Sequence, residues 1–600
     1  MHTGNRTSLI ALWLAALLAL SATSGNARAA EDGALDWLRS DTDAFERARQ
    51  QQRPVLLYLE AVWCHWCHVM DAQTYADPAV VELVMGHFVP LRIDQDARPD
   101  LATRYRRWGW PATIVLAPDG SEIVKRQGYI EPGPMRRLLQ AIIADPSPES
   151  AAAVDLSEAP ARDSLVPTLR RALVDAHRAA FDPVLGGLRQ GQKFLDRDSV
   201  EYALVRAAAG DSDEGARATL TLDAARALLD PVWGGVYQYS THGDWQHPHY
   251  EKLTVRQAEY LRVYVLGAAA LAQPRQLEVA AAIGGYLERF MRAHEGGYYT
   301  SQDADLVPGR HSADFFALDE VGRRARGMPR IDTHRYARET GMVAEALATM
   351  AEYTGDADAL AAAVAAAGWV LRERALPGGG FRHDLTDAAG PYLADTLAMG
   401  RACLALYRAT SARHWLGCAS SAVTFIDARM RAPAAGYFSA VAGAAPIPPA
   451  IDVDENISLA RFANLLAHYT GQDPHRAVAA HALRHLARPQ VARARRTDPG
   501  IVLAADELQS DPLHVVVVGA RGDTTAQGLF AALGRLPGWY KRIEWWDRAE
   551  GPLPNHDVEY PVLSKPAAFV CTERVCSLPL YSPAEISEHL ALLRSADPLR

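Results

Sequence analysis

The chain has 600 residues, a formal net charge of −9, 49% hydrophobic residues and 22% charged residues. That balance is ordinary for a globular protein, and the mild negative charge argues against a nucleic-acid partner. The length calls for more than one domain, while six cysteines are too few for a scaffold built on disulfides.

Residues 1–30 read as a secretory signal. Arg6 gives a positive start, Leu9 to Leu20 is an apolar core, and Ala27-Arg28-Ala29 is a small-residue cleavage site. The core is short for a membrane span, so a stable span is not expected. An uncleaved N-terminal anchor is the alternative. The expected location is periplasmic or extracellular, where disulfides persist.

Residues 31–145 open with an apolar strand, Val55 to Leu59, and a short joint. Trp63-Cys64-His65-Trp66-Cys67-His68 follows. Two cysteines three apart can close a small disulfide ring. A helix starting at the first would stabilise a thiolate there, making Cys64 the attacking thiol and Cys67 the resolving one. Three other readings of the same letters stay open: c-type haem attachment, zinc held by Cys64, Cys67 and His68, and a plain structural staple.

Val80 to Val84 is helical in pattern, Phe88 to Asp94 reads as a strand, and Thr113 to Ala117 as another. Pro118-Asp119-Gly120 is a turn from which Ser121 to Arg126 returns as a hairpin strand, and Pro134 to Ile143 is a closing helix. The order β, α, β, α, β, β, α, with Cys-x-x-Cys opening the first helix, resembles the thioredoxin fold. That resemblance implies a cis peptide at Pro111, lying against the disulfide. It also implies that Trp63, His65 and Trp66 set access and thiol pKa. His68 reads as a further tuning residue. One departure stands out: the position where thioredoxins hold a buried acid is Tyr58, and the nearest acid is Glu60. With this context thiol–disulfide exchange leads, no metal is expected, and haem or zinc remain the alternatives.

Residues 146–163 read as a linker, and 164–510 are mostly helical. A glycine–aromatic turn recurs at Gly186-Gly187, Gly234-Gly235, Gly296-Gly297, Gly378 to Phe381 and Gly436-Tyr437. Repeated helical hairpins must stack to bury their faces. Five or six with a glycine loop at the same end resemble the (α/α)6 toroid of six-hairpin glycosidases and sugar epimerases. An open solenoid is the alternative. The loops carry a candidate pocket of Trp245, His247, His249, Glu251, Lys252, Asp303, Asp305, Asp395 and Asn456, since aromatics beside carboxylates suit a sugar. Helix capping and loop hydrogen bonding are the plainer roles for the same residues. Cys403 and Cys418 read as buried small hydrophobes. Residues 511–600 read as a small α/β appendage, with Cys571 and Cys576 as a local disulfide or free thiols. A redox partnership with the N-terminal pair is the less favoured alternative.

Together these pieces resemble the thioredoxin-domain proteins of the spermatogenesis-associated protein 20 type, also called DUF255 or YyaL-like. The motifs that carry the likeness are Cys64 to Met70, Arg92 to Asp100 and Phe181 to Phe194. They continue at Gly234 to Lys252, Asp303-Ala304-Asp305 and Cys571 to Cys576. Three features depart from the family pattern: Arg256, Gln246 after Trp245, and a compressed segment from Leu306 to Thr333. The expectation is an exported thiol–disulfide oxidoreductase whose only redox cofactor is its own disulfide. Its partners would be protein thiols or disulfides, with a carbohydrate as a further ligand of the barrel. The alternatives are a carbohydrate-active hydrolase or epimerase with an accessory thioredoxin-like module, and a binding protein with both sites degenerate.

Overall fold

The computed structural model describes residues 35–149, 163–538, 540–572 and 575–596. The expected signal at 1–30 and most of the linker lie outside them. No described helix is long and apolar enough to cross a membrane.

The N-terminal domain is a four-stranded sheet in the order β2-β1-β3-β4, formed by Val55–Glu60 (β1), Val89–Asp94 (β2), Ala112–Leu116 (β3) and Glu122–Gln127 (β4). Strand β1 runs parallel to β2 and antiparallel to β3, and β3 and β4 form the hairpin expected at Asp119-Gly120. Both faces of β1 are covered. Leu56 and Tyr58 belong to one apolar cluster, Val55, Leu57 and Leu59 to the other, as the two-residue strand period requires. Helices Asp41–Gln51 (α1), His65–Gln73 (α2), Pro78–His87 (α3), Pro99–Tyr105 (α4) and Pro132–Ala144 (α5) complete a thioredoxin-like fold.

The second region is a closed ring of helical hairpins. Its inner helices are Arg197–Ala208, Thr254–Ala270, Ala337–Thr354, Leu393–Thr410, Val453–Thr470 and Pro499–Gln509. Each packs on the next, and the sixth packs back on the first. The outer layer is Pro167–Ala180, Ser212–Ala225, Arg275–Tyr286, Ala357–Glu373, Arg413–Met430 and Asp473–Leu486. Pro167–Ala180 packs against the last inner helix and so joins the two ends of the ring. Ring closure makes this an (α/α)6 toroid and excludes the open solenoid.

The recurring glycine turns have a steric cause. Each follows one outer helix and lies directly on the next. A Cβ at Gly186 would meet the Leu220 carbonyl, and one at Gly379 would meet Ser421, with Trp369 and His485 playing the same part at Gly296 and Gly436. Gly234, at φ +73°, would drive a Cβ into the Ala282 carbonyl. Behind that turn Asp230 accepts from Lys252 at 2.6 Å and from Arg323 at 2.7 Å, in a fully buried triad.

The third region is more than an appendage. Leu513–Val518, Lys541–Trp546, Ala567–Thr572 and Val575–Cys576 make a sheet whose strand order and directions repeat those of the N-terminal one. The first strand is central, parallel to the second and antiparallel to the third, which pairs in a hairpin with the fourth. Helices Thr524–Gly534 and Pro583–Ala596 follow the first and last strands. Asp523 caps the first of them through the amides of Thr525 and Ala526, the place Cys64 takes before α2. Pro566 precedes the third strand and lies against Gly519, as Pro111 precedes β3. Cys571 and Cys576 are cross-strand partners and form a disulfide. Cys403 and Cys418 also form one, which corrects their reading as merely buried small hydrophobes. They lie on an inner helix and its antiparallel outer mate, whose packing brings their Cα atoms to 6.0 Å.

Gly234→Ala should lower unfolding stability by about 2 kcal/mol or more through clash and left-handed strain. Gly285→Ala, at a helical site with nothing within 4 Å of the added carbon, should be neutral or stabilising by up to about 1 kcal/mol. Urea melts of the pair check this. Equal effects would rule out the steric role given to the turn.

Candidate functional site

The motif is built as the sequence suggests. Cys64 is the N-cap of α2, its Sγ accepts from the Cys67 amide at 3.2 Å, and the two cysteines form a disulfide. The Trp110–Pro111 peptide is cis. The Tyr58 hydroxyl donates to the Cys67 carbonyl at 3.1 Å, so this residue braces the helix where thioredoxins hold an acid. Glu60 is taken up in an ion-pair network with Arg92 and Asp71.

Spacing could not show what covers the dithiol. The thioredoxin-like domain sits on the toroid rim where the inner helices begin. Arg106 pairs with Asp454 and lies 3.5 Å from Asp452, and Arg104 donates to the Pro448 carbonyl at 3.0 Å. The Trp63 indole donates to Asp96 at 2.7 Å, and Asp96 faces Arg338 at 3.8 Å. The buried His383 bridges the domains, with Nε2 2.7 Å from the Asp96 carbonyl and Nδ1 2.8 Å from Asp395. As a result Cys64 is 3% exposed and Cys67 fully buried, whereas Trp66, stacked on Tyr129, is 43% exposed and marks the open edge.

Four of the barrel candidates, His249, Glu251, Asp303 and Asp305, converge on the motif. A ladder of two-residue strands, Lys252–Leu253, Ser301–Gln302 and Ile331–Asp332, sets Glu251 and Asp303 at its end. Asp305 takes hydrogen bonds from His65 Nδ1 at 2.8 Å, from His68 Nδ1 at 3.2 Å and from the Gly309 amide at 2.8 Å. Asp303 Oδ2 lies 3.6 Å from His68 Nε2. The Glu251 carboxyl faces the backbone amide of His65, the residue after Cys64. His249 is beside it, its Nδ1 3.9 Å from Glu251, and His311 packs on His65.

The electrostatics follow from burial and company. Burial, reinforced by Asp303 and Asp305, pushes Glu251 up to about 8. Burial likewise raises Asp303 to about 6. Burial opposes ionisation of Asp305 too, but the bonds from His65 and His68 outweigh it and hold it at about 2. For His68, burial favours the neutral ring, yet Asp305 and Asp303 overcome this and raise its pKa. Burial lowers His249 to about 4.

The remaining candidates do not join this cluster. Trp245 is buried, with its indole on the Leu185 carbonyl at 2.8 Å. Lys252 points the other way, into the Asp230 triad. His247 is exposed beside Asp244. Asn456 clamps both the amide and the carbonyl of Tyr437, a bracing role. Asp395 stands a step back from the dithiol, bonded to His383 and to the Arg338 amide. The residues that sequence reasoning missed are Asp96, His311, Arg338 and His383. Asp96 carried a signal, since it lies in the acid-rich stretch from Arg92 to Asp100. Cys571 and Cys576 lie in the domain at the far rim of the toroid, so the helical layer separates them from Cys64 and Cys67.

Glu251 gives a pH prediction. Its folded pKa near 8 exceeds its ordinary value of 4.5. The linked stability is therefore full below about 4.5 and is lost as pH rises through about 8. Glu251→Gln, which mimics the protonated form, should match the parent near pH 5. At pH 8.5 or above it should be more stable by at least about 1 kcal/mol. Denaturant melts across that range check the sign.

Residues 18–142 match the family model described as a protein of unknown function, DUF255. Human spermatogenesis-associated protein 20 is 24% identical over 311 residues, which are 46% of this chain and 40% of that protein. Thiol:disulfide interchange protein DsbD 1 of Pseudomonas aeruginosa is 37% identical over 83 residues, 13% of this chain and 14% of that protein. Cellobiose 2-epimerase of Spirochaeta thermophila aligns with 57% of this chain and 98% of its own, at 12% identity and a TM-score of 0.42. The curated relatives matched over the longest stretches are each spanned over less than half of their own length. The region that carries the dithiol motif thus matches the DUF255 family, and the chain is similar over 46% of its length to spermatogenesis-associated protein 20.

Proposed function

We propose that the protein is an exported thiol–disulfide oxidoreductase whose working site is shared between the thioredoxin-like domain and the toroid rim. The observation that carries this reading is the Cys64–Cys67 disulfide at the start of α2, with the buried Glu251 carboxyl of the barrel at the adjoining His65 amide. The short match to a thiol:disulfide interchange protein supports it. The Arg6 and Leu9–Leu20 pattern supports export, and the chain's own disulfide is its redox group.

In the reducing direction the Cys64 thiolate attacks one sulfur of a substrate disulfide, forming a mixed disulfide and releasing one substrate thiolate, which takes up a proton. Cys67, deprotonated, then attacks Cys64 Sγ, which releases the second substrate thiolate and closes the Cys64–Cys67 ring. Two electrons pass from the pair to the substrate, and the oxidising direction is the reverse. The α2 amides and macrodipole favour the thiolate at Cys64. Glu251, whose carboxyl faces the neighbouring amide, exchanges protons with the pair and stands in for the acid that Tyr58 replaces. The close cover over Cys64 favours slim substrates, a small thiol or an extended peptide entering beside Trp66.

A carbohydrate role has weaker support, because Trp245, Lys252 and Asn456 are committed to bracing the barrel.

Cys64→Ser with Cys67 intact should lose at least about a hundredfold in exchange rate with a glutathione redox buffer, while Cys67→Ser should accumulate a mixed disulfide. Unchanged turnover in Cys64→Ser would sink the reading. Glu251→Gln should slow exchange by about tenfold or more and flatten its pH dependence near 8. An unaltered pH profile would remove Glu251 from the proton path.

A further inference from the structure

The acids and imidazoles at the junction are more numerous than thiol exchange requires. His68, Asp303 and Asp305 each present a donor atom within 4.8 Å of the others. Both aspartates are 2% exposed. Asp303 Oδ2 has no hydrogen-bond partner, yet it is aimed at the His68 ring, 3.6 Å from Nε2. Glu251 Oε2, buried nearby, is also without a partner. Two buried carboxylates against one imidazole, with the Glu251 carboxyl close by, crowd acidic groups in a medium that disfavours charge, and a lone carboxylate oxygen turned inward needs a cation or a proton.

We propose that His68, Asp303 and Asp305 bind one divalent first-row metal ion of the zinc or manganese class, bridging helix α2 of the thioredoxin-like domain to the barrel loop. One imidazole nitrogen and two carboxylate oxygens suit such an ion. Magnesium and calcium take all-oxygen sets, and the soft thiolate ligands that would favour a Cys64/Cys67 site are tied up in the disulfide. His65, through its bond to Asp305 Oδ1, orients that carboxylate from behind, as an outer partner does for a metal ligand. Three protein donors leave at least one position for water, the pattern of a zinc site that stays open. Binding displaces the proton of His68 and fixes the joint between the two modules.

The test uses full-length oxidised protein, stripped with a chelator and titrated with zinc chloride, and in parallel with manganese chloride, by calorimetry. The expected result is one ion per chain. Asp303→Asn and His68→Gln should each weaken binding by at least about tenfold, while the Cys64→Ser/Cys67→Ser double variant binds as the parent does. Circular dichroism and melting show which variants are folded. If Asp303→Asn fails to fold, Asp305→Asn replaces it. Absence of binding at tens of micromolar zinc, or equal binding in the aspartate and His68 variants, overturns the site. Loss of binding in the cysteine variant overturns it in favour of a thiolate site. None of these outcomes depends on the redox reading, which the Cys64→Ser kinetics judge separately.

Discussion

The inner helices of the toroid all run the same way, and most of the structure's electrostatics follow from that one constraint. Parallel helices align their macrodipoles, so one rim of the ring is rich in free amides and the other in free carbonyls. Four of the six carry acids in the first turn: Asp198, Glu339, Asp395, and the pair Asp454 and Glu455. The domain that covers this rim brings Arg106 to Asp454. At the other rim the C-terminal domain supplies donors to carbonyls. Arg521 reaches those of Thr410 and Ser411, Arg535 that of Thr354, and Asn555 that of His468. Two sheets of the same topology thus close opposite ends of one barrel, each with the charge its rim requires. Inside, the channel is filled by paired Arg262, Arg401 and Arg461 with Glu201, Glu345 and Glu507 around a cavity of about 90 Å³.

The same constraint explains why the dithiol and the acidic loops meet. Loops that enter the inner helices gather on the amide-rich rim, which includes the Glu251 and Asp303–Asp305 segments. A thioredoxin-like domain docked there has to present a face that tolerates carboxylates. The start of α2, with His65 and His68 one turn apart, is such a face, since helix N-termini and imidazoles both favour negative neighbours. Asp305 satisfies both histidines at once. Without the barrel, these histidines would be ordinary exposed residues on α2. With it, they become half of a buried polar junction.

Features legible in the sequence were those carried by local pattern. The Cys64–Cys67 motif and the strand at Val55 to Leu59 belong to one compact unit whose signals lie within a few dozen residues, and the cis peptide at Pro111 was implied by that unit's resemblance to the thioredoxin fold. The toroid was legible through its glycine turns, because each hairpin meets the same steric demand where it crosses the next outer helix. The missing pieces all depend on long-range contacts. Cys403 and Cys418 pair only because two antiparallel helices set them side by side. The partner that Asp96 finds in Trp63 was hidden because the two lie on different strand ends. The duplicated topology of the C-terminal sheet is a matter of strand order, which residue patterns alone do not encode. For Lys252 and Trp245 the sequence suggested a pocket, but Lys252 is taken up by the buried Asp230 alongside Arg323, and Trp245 by the Leu185 carbonyl.

Cover and chemistry are not separable in this molecule. An ordinary dithiol domain keeps its first cysteine open and holds its acid within its own sheet. Here Tyr58 fills that interior place, Cys64 is nearly closed off, and unpaired carboxyl oxygens on Glu251 and Asp303 arrive from another domain. Pulling the domains apart to admit a bulky protein would expose Cys64 but would also remove Glu251 and leave His65 and His68 without Asp305. The half-exposed ion pairs at the rim, such as Arg106 with Asp454, offer little resistance to such opening. The buried contacts that cross the joint, Asp96 with Arg338 and the Asp96 carbonyl with His383, resist it more strongly, because separating them strands polar and charged groups in low dielectric. Access from the Trp66 edge keeps every one of these contacts in place. The geometry therefore favours a substrate that comes to the closed site over a site that opens for its substrate.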